Sequence, residues 1–190
     1  MSTAVKRDLP KNLTVDEYLA WAKENPGRYE LHDGEIVAMS PQRAEHADVK
    51  FAVQNELRRS IVTAKLPCKM MPDGMTVRIT KTRAYEPDAL VYCGKEIAGD
   101  AWEIPNPVIV VEVASPSTAQ YDANEKLAGY FSVPSVMHYM LLTPTGPPAI
   151  LHSRQPNGTI LTSILHSSAF RLDPPGLELD VARCLTFPEA

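Results

Sequence analysis

No run of apolar residues in this sequence approaches the roughly 20 that cross a bilayer, and the N-terminus lacks the apolar stretch of a secretory signal. Cysteine is scarce too: Cys68, Cys93 and Cys184 are odd in number, widely spaced and form no C-x-x-C arrangement. Neither a disulfide framework nor a zinc knuckle is therefore expected. Together these absences predict a protein with no membrane partner, located in a reducing cytoplasm.

Positive charge is also in short supply. The formal net charge is -4 at pH 7 and the pI is about 5.7, which argues against a surface dominated by phosphate-binding Lys and Arg. Any contact with nucleic acid then requires a local basic patch. Four common catalytic signatures are missing as well: the G-x-x-x-x-G-K-[ST] loop, the G-x-G-x-x-G turn, the G-x-S-x-G elbow and H-E-x-x-H. Nucleotide hydrolases and serine hydrolases are therefore not indicated.

What the sequence does contain is the composition of an ordinary folded domain. Its 190 residues are 44% hydrophobic and 22% charged, close to the usual values for globular proteins. This length suits one domain and is short for two. We expect residues 1–190 to form a single domain.

Two helices are indicated early in the chain. Thr14 and Glu17 have the spacing of a capping box, which predicts a helix over residues 15–23. Apolar residues then recur every four positions, which predicts a long amphipathic helix over residues 45–61. The polar residues expected away from its apolar face are Lys50, Gln54, Arg58 and Arg59.

Turn dipeptides and apolar runs divide the rest of the chain mainly into strands. Asp33-Gly34 and Asn157-Gly158 are pairs that two-residue hairpin turns prefer. A further helix, capped by Ser117 or Thr118, is expected to run to about Phe131. The tail after Phe170 is expected to be irregular, with a role in covering the sheet left open. The predicted strands are 28–32, 35–39, 69–71, 75–79, the runs around Asp88 and Glu112, 137–142, 149–154 and 159–165. The four in succession from residue 69 are expected to share one mixed or antiparallel sheet.

Two acidic residues stand out against this pattern. Glu112 lies within Val-Ile-Val-Val-Glu-Val, and Asp88 follows Pro87 in the preceding strand-like segment. A carboxylate inside a sheet core costs several kcal/mol unless a cation replaces the lost water. A divalent metal such as Mg²⁺ between the two acids would provide that compensation.

The ordered set of motifs resembles the Uma2 family (DUF820) of restriction-endonuclease-like proteins in the PD-(D/E)XK nuclease superfamily. The resemblance spans residues 13–144, with a C-terminal hairpin and tail over 145–190. It implies an α/β fold with a restriction-endonuclease-like core, in which a central mixed β-sheet is flanked by α-helices and extended by β-hairpins. The residues that carry it are Tyr29-Glu30-Leu31, Asp33-Gly34-Glu35, Met39-Ser40-Pro41, His46, Pro87-Asp88, Val111 to Thr118, Asp122, Lys126 and Tyr130.

The resemblance also implies a metal-dependent endonuclease that hydrolyses nucleic-acid phosphodiester bonds. Asp88 and Glu112 would bind Mg²⁺ or Mn²⁺, with Glu30 and His46 as further site residues. The orthodox superfamily motif has a lysine two residues after the Glu, where this chain has Ala114. In the Uma2 group that lysine is displaced to the following helix, which matches Lys126, and a lysine stem is long enough to reach the site from there.

Each of these residues also has a simpler interpretation. Asp88 can cap a turn, Glu112 can pair with a buried cation, and Lys126 can pair with Asp122 on a helix surface. His46 can be structural, and Glu30 can face solvent. The function has alternatives too: a nuclease-fold protein with little or no catalysis that acts as a DNA-binding or dimeric interaction module, or a hydrolase of small phosphodiesters.

The expected partners follow from the nuclease interpretation. The nucleic acid is expected to be DNA, and cutting both strands with one site per chain requires a homodimer. The apolar C-terminal hairpin, with Ile150-Leu151 and Ile160-Leu161, is the expected contact surface.

Overall fold

The computed structural model describes residues 9–114 and 122–186. Within them the chain forms four helices and twelve strands. The helices are α1 (Val15–Glu24), α2 (Ala44–Ala64), α3 (Asp122–Ser132) and α4 (Val181–Leu185). The strands are β1 (Tyr29–His32), β2 (Glu35–Ala38), β3 (Cys68–Pro72), β4 (Val77–Arg78), β5 (Ala84–Tyr85), β6 (Ala89–Cys93), β7 (Pro107–Val113), β8 (His138–Leu142), β9 (Ala149–Arg154), β10 (Ile160–Leu165), β11 (Ala169–Leu172) and β12 (Leu177–Asp180).

The centre of the fold is a six-stranded sheet in the order β10-β9-β8-β7-β6-β3. The β7–β8 pair is parallel and the other pairs are antiparallel, so the sheet is mixed. Helix α2 packs on one face, where Val53 and Leu57 join Val111 and Met140 in a buried cluster. Helix α3 packs on the other face. The predicted α/β class, with a central mixed sheet flanked by helices, is confirmed.

A smaller four-stranded sheet in the order β2-β1-β5-β4 adjoins the first. The chain passes from β5 of this sheet to β6 of the large one through Glu86-Pro87-Asp88, so Asp88 lies immediately before β6 rather than inside a strand. Glu30 belongs to β1 of the small sheet. The junction of the two sheets therefore brings Glu30 towards the acids of the large sheet.

The local signals of the sequence appear as expected. The Thr14 hydroxyl accepts from the Glu17 N–H at 3.3 Å and the Glu17 carboxylate accepts from the Thr14 N–H at 2.8 Å, which completes the capping box of α1. Asp33 (φ 49°) and Gly34 (φ 84°) are both left-handed, as a type I′ turn between β1 and β2 requires. The Asn157-Gly158 hairpin of β9 and β10 is also present. The cap predicted at Ser117 or Thr118 and the side chain of Asp122 lie outside the described residues.

Two predictions about strands and tail are wrong. Strands β3 and β4 do not share a sheet: β3 pairs with β6, and β4 pairs with β5 of the small sheet. The tail after Phe170 is not irregular, because it forms β11, β12 and α4. Its apolar side chains are buried against α2, and the Ser60 hydroxyl donates to the Glu178 carbonyl at 2.6 Å. The alternation Leu177-Glu178-Leu179 was a strand signal in the sequence.

The expectation of no disulfide is also wrong. Cys68 and Cys93 lie directly opposite each other on β3 and β6, with Cα atoms 3.9 Å apart, and are bonded. No local motif predicts this pair, because the two cysteines are 25 positions apart and only the register of the strands brings them together. Cys184 is free and buried. The cytoplasmic location was inferred partly from cysteine usage and stays a prediction; none of the described helices is long and apolar enough to cross a membrane.

Candidate active site at the junction of the two sheets

The two acids singled out in the sequence lie at the same end of neighbouring strands. The register of β6 against β7 pairs Ala89 with Val111, so Asp88 and Glu112 are the next residues along each strand. The Asp88 N–H donates to the Val111 carbonyl at 3.0 Å, and the Val113 N–H donates to Asp88 Oδ2 at 2.7 Å. Both acids are buried, Asp88 being 4% and Glu112 8% exposed. They need compensating cations or protons.

Lys126 compensates Glu112. Its ammonium group extends from α3 and donates to Glu112 Oε1 at 3.0 Å and to Glu30 Oε1 at 2.9 Å. The expectation that Lys126 points towards the acids rather than into solvent is confirmed. The cation that the Ala114 position lacks is therefore supplied from the neighbouring helix. Glu30 is 6% exposed, so the alternative in which it faces solvent is wrong.

Burial and the charges of neighbouring side chains set the protonation states of Glu30, Glu112 and Lys126. Burial raises the pKa of Glu112 to about 7, against the opposing effect of Lys126 and with added repulsion from Asp88 and Glu30. Burial alone would raise the pKa of Glu30, but hydrogen bonds from His32 and Lys126 outweigh it and the pKa is lowered. The pKa of Lys126 is raised because Glu112 and Glu30 outweigh its own burial. Lys126 thus keeps its charge at neutral pH, while Glu112 is poised between its two forms.

Tyr130 is a site residue to which the sequence assigned no role, although it belonged to the matching set. It is fully buried one turn after Lys126 on α3, and its hydroxyl donates to Glu112 Oε1 at 2.7 Å. Lys126 and Tyr130 therefore hold the same oxygen of Glu112. The four-residue spacing of Lys126 and Tyr130 places both on one helix face and was the available signal.

Lys50 is a second residue that the sequence misplaced. It was assigned to the solvated side of α2, but it is 3% exposed, and its ammonium lies 2.9 Å from Asp88 Oδ1 and 2.6 Å from Asp73 Oδ2. The reason is geometric: the apolar stripe of α2 ends near Val49, and the sheet end beneath it carries acids. Gln54 also faces this end, donating to the Asp88 carbonyl at 2.8 Å.

His46 lies at the site as expected, and His32, which was not expected there, lies at it too. His46 Nε2 donates to the Val113 carbonyl and lies 3.9 Å from Asp88 Oδ2, so it contacts the Asp88 side of the site. The histidine that contacts Glu30 is His32, whose Nε2 is 3.0 Å from Glu30 Oε2. His32 had been assigned no role, because a single histidine in a hairpin carries no recognisable spacing.

A chain of ion pairs joins these groups. Arg28 binds Glu86 at 2.6 Å and Asp73 at 3.0 Å, and Asp73 shares Lys50 with Asp88. The Glu86 N–H donates to Glu30 Oε1 at 3.1 Å. Because Glu30 is also paired with Lys126, the series of ion pairs extends to Lys126. The carboxylates of the network are Asp73, Asp88, Glu30, Glu86 and Glu112, and its cations are Arg28, Lys50 and Lys126. When all are ionised, two negative charges remain unmatched within this group of described residues.

This charge and chemistry suit a divalent ion. Carboxylate oxygens are the ligands that Mg²⁺ prefers, and Mg²⁺ is commonly bound by one or two carboxylates together with water and substrate phosphate. In the described part of the chain, no group of three or more His, Cys, Asp or Glu side chains is arranged to hold a metal ion by itself. Asp88 and Glu112, at the same end of adjacent strands, are carboxylates of the kind that such an ion prefers.

Comparisons with known proteins agree with this architecture. The model of the Uma2 family, described as "Putative restriction endonuclease", matches residues 15–183. Two proteins of Synechocystis sp. (strain ATCC 27184 / PCC 6803 / Kazusa) are similar: "Uncharacterized protein slr1290", 26% identical over 90% of this chain and 88% of its own length, and "Uncharacterized protein sll1609", 27% identical over 70% and 75%. The crystal structure of a putative nuclease belonging to DUF820 from Anabaena variabilis ATCC 29413 superposes with a TM-score of 0.70 at 13% identity, covering 91% of this chain and 97% of that one. That structural likeness supports the fold.

Proposed function

Because this chain belongs to the Uma2 family, we propose that it is a metal-dependent endonuclease acting on DNA through Asp88, Glu112 and Lys126. Asp88 and Glu112 would hold Mg²⁺ or Mn²⁺, and Glu30 and His46 would complete the site. The observation that supports this most directly is the buried Lys126 ammonium, which lies between Glu30 and Glu112 although it originates on a different element. A buried lysine shared by two acids is a costly arrangement, and such groups are concentrated at functional sites.

A divalent ion bound to the two acids would neutralise the scissile phosphate and lower the pKa of the attacking water. Lys126 keeps its proton at neutral pH, so it donates hydrogen bonds to that water or to the charge that develops on phosphate oxygens. Glu30 fixes the direction of the Lys126 stem. His46 and Asp88 fix the backbone of Val113, and with it the position of Glu112.

A specific observation favours the alternative function, a catalytically weak interaction module. With all its acids ionised, the network of five carboxylates and three cations named above carries two excess negative charges, and an acidic site repels a polyanion unless a metal is present. The two functions therefore differ in one measurable property. The nuclease requires that a divalent ion binds and reverses this repulsion, whereas the module requires no metal.

A cleavage assay decides between them. Supercoiled plasmid, single-stranded DNA and RNA are incubated with the protein in Mg²⁺, in Mn²⁺ and in chelator, beside Asp88→Ala. The matched control is Asp100→Ala, which removes an exposed aspartate. We expect metal-dependent DNA cleavage by the parent and by Asp100→Ala, and none by Asp88→Ala. Equal cleavage by Asp88→Ala and the parent would contradict the proposed site, and no cleavage of any substrate by the parent in either metal would favour the module.

A further inference from the structure

The Lys50 ammonium lies against one of the two Asp88 oxygens that a divalent ion would use. Both Asp88 oxygens already accept a hydrogen bond or ion pair: Oδ1 is 2.9 Å from the Lys50 ammonium, and Oδ2 accepts the Val113 N–H at 2.7 Å. Two cations on one carboxylate repel each other strongly at such distances. A divalent ion at Asp88 must therefore compete with Lys50.

Lys50 has a second acid to receive it. Its ammonium is closer to Asp73 Oδ2, at 2.6 Å, than to Asp88. Asp73 is itself fixed by Arg28 at 3.0 Å and lines an open cleft of about 200 Å³ with Arg28, Tyr29, Glu86 and Trp102. One acid is sufficient to neutralise a buried lysine, so the second makes an exchange possible without leaving Lys50 unpaired.

We propose that Lys50 is an exchangeable counter-cation, which stabilises Asp88 without metal and moves entirely to Asp73 when Asp88 binds a divalent ion. This inference rests on the proposed metal site. Asp73 is then a positioning residue that sets metal affinity without contacting the metal. The side chain of Lys50 is long and flexible. A small rotation of it breaks the 2.9 Å contact with Asp88 while the ion pair with Asp73 is kept.

The exchange predicts opposite effects for two substitutions. Lys50→Met removes the competing cation, so Mn²⁺ binds more tightly, while the melting temperature of the metal-free protein falls because Asp88 is left uncompensated. Asp73→Asn removes the receiving acid, so Lys50 stays on Asp88 and Mn²⁺ binds more weakly, by about tenfold. The measurement is isothermal titration with Mn²⁺, beside thermal melts in chelator and in Mn²⁺.

The control is Glu86→Gln. Glu86 contributes one carboxylate to the same network but contacts Arg28, not Lys50, so this variant measures the general effect of one lost negative charge. We expect a smaller loss of Mn²⁺ affinity in Glu86→Gln than in Asp73→Asn. Equal losses in the two would overturn the exchange, as would a Lys50→Met protein that binds Mn²⁺ no more tightly than the parent.

A third measurement does not depend on the folding of Lys50→Met. In the parent protein, the NMR signal of the Lys50 ammonium is followed during titration with Mg²⁺, and we expect it to shift in the parent but much less in Asp73→Asn. A signal unchanged by saturating Mg²⁺ overturns the inference. The proposed function can be refuted independently of this inference. If the Mn²⁺ affinities of the variants follow the expected order but no nucleic acid is cleaved, the nuclease function is refuted and the exchange of Lys50 stands.

Discussion

The backbone N–H of Val113 donates to the Oδ2 atom of Asp88 across two neighbouring strands, at 2.7 Å. This bond makes the carboxylate of one acid a fixed support for the strand that carries the other. Asn at position 88 can still accept from the Val113 N–H, and Lys50 keeps Asp73 as a partner. We therefore expect Asp88→Asn to change the free energy of unfolding in chelator by less than about 1 kcal/mol while abolishing the Mn²⁺-induced rise in melting temperature.

A structural role for Asp88 predicts a different outcome. If the Asp88–Lys50 ion pair serves only stability, Asp88→Asn weakens the hold on a buried ammonium that then relies on Asp73 alone, and the loss in chelator is on the order of 3 kcal/mol. Denaturant unfolding of both proteins, with chelator and with Mn²⁺, separates the two cases. A large loss in chelator combined with no metal-dependent shift in the parent would refute the metal site.

Lys126 tests the catalytic assignment. Lys126→Ala removes the cation shared by Glu30 and Glu112, and we expect cleavage to fall by about a hundredfold or more, as for other groups that stabilise developing charge. Lys95→Ala, which removes an exposed lysine, should cleave like the parent. Full activity of Lys126→Ala under conditions where Asp88→Ala has none would show that the assigned role is wrong.

The hydrogen bond from Tyr130 to Glu112 allows a test of how Glu112 is positioned. Tyr130→Phe removes one hydrogen bond to Glu112, and we expect about 1 kcal/mol of lost stability together with about tenfold slower cleavage and a pH–rate profile shifted to higher pH. The shift arises because the Tyr130 hydroxyl stabilises ionised Glu112. Tyr18→Phe is the matched control: it removes a buried hydroxyl that donates to the Tyr29 carbonyl at 2.6 Å. It should lose similar stability but keep the pH profile.

The raised pKa of Glu112 predicts how stability depends on pH. The folded protein holds this proton up to a pKa of about 7, whereas the unfolded chain releases it near the ordinary value of 4.5. Between these values the folded state binds more protons, so the free energy of unfolding decreases as pH rises. We expect Glu112 to account for a loss on the order of 1–3 kcal/mol over this window.

Chemical denaturation from pH 4.5 to 8 in chelator, comparing the parent with Glu112→Gln, measures this loss. Groups distant from Glu112 titrate alike in both proteins, so the difference between their profiles reports Glu112 together with the neighbours coupled to it, Glu30 and Lys126. A difference independent of pH would contradict the raised pKa.

The expected homodimer remains to be tested, and the structure changes where its contact should be sought. Of the four residues expected to form the contact, Leu151 is buried and Leu161 is 54% exposed. Ile164, which was not among the four, is 63% exposed. Both exposed residues lie on β10, at an edge of the six-stranded sheet. We expect a dimer at micromolar concentration in sedimentation, dissociated by Leu161→Glu but not by Val62→Glu, which charges an exposed apolar residue of α2. A monomeric parent would contradict the dimer.

The sequence predicted those features that depend on neighbouring residues. A capping box and an Asp-Gly turn act within four residues, so α1 and the β1–β2 hairpin could be located without tertiary information. The partner of β3 could not, because the same apolar strand can pair with several others and only packing selects β6.

Asp88 and Glu112 stood out in the sequence as acids in or beside apolar strand-like runs, and Glu30, His46 and Lys126 were identified through the resemblance to a family. The structure shows why simpler patterns missed the rest. Lys50 looks like a surface residue of an amphipathic helix, and it is buried only because the acids of another element lie beneath it. Tyr130 looks like a core residue, and its hydroxyl acquires a role only from the Glu112 beside it. Polar groups inside a fold are set by partners distant in sequence, which periodicity does not encode.

The disulfide between Cys68 and Cys93 encloses the segment that contains both Asp73 and Asp88. The two acids that share Lys50 are thus carried on one covalently closed loop, whose closure lowers the entropy of the unfolded chain by an amount equivalent to about 3–4 kcal/mol. Under oxidising conditions the loop resists opening even when β3, at the edge of its sheet, frays. Under reducing conditions the loop keeps its core packing, hydrogen bonds and ion pairs but loses the covalent closure, so the thiol state of the surroundings acts on how firmly this loop is held.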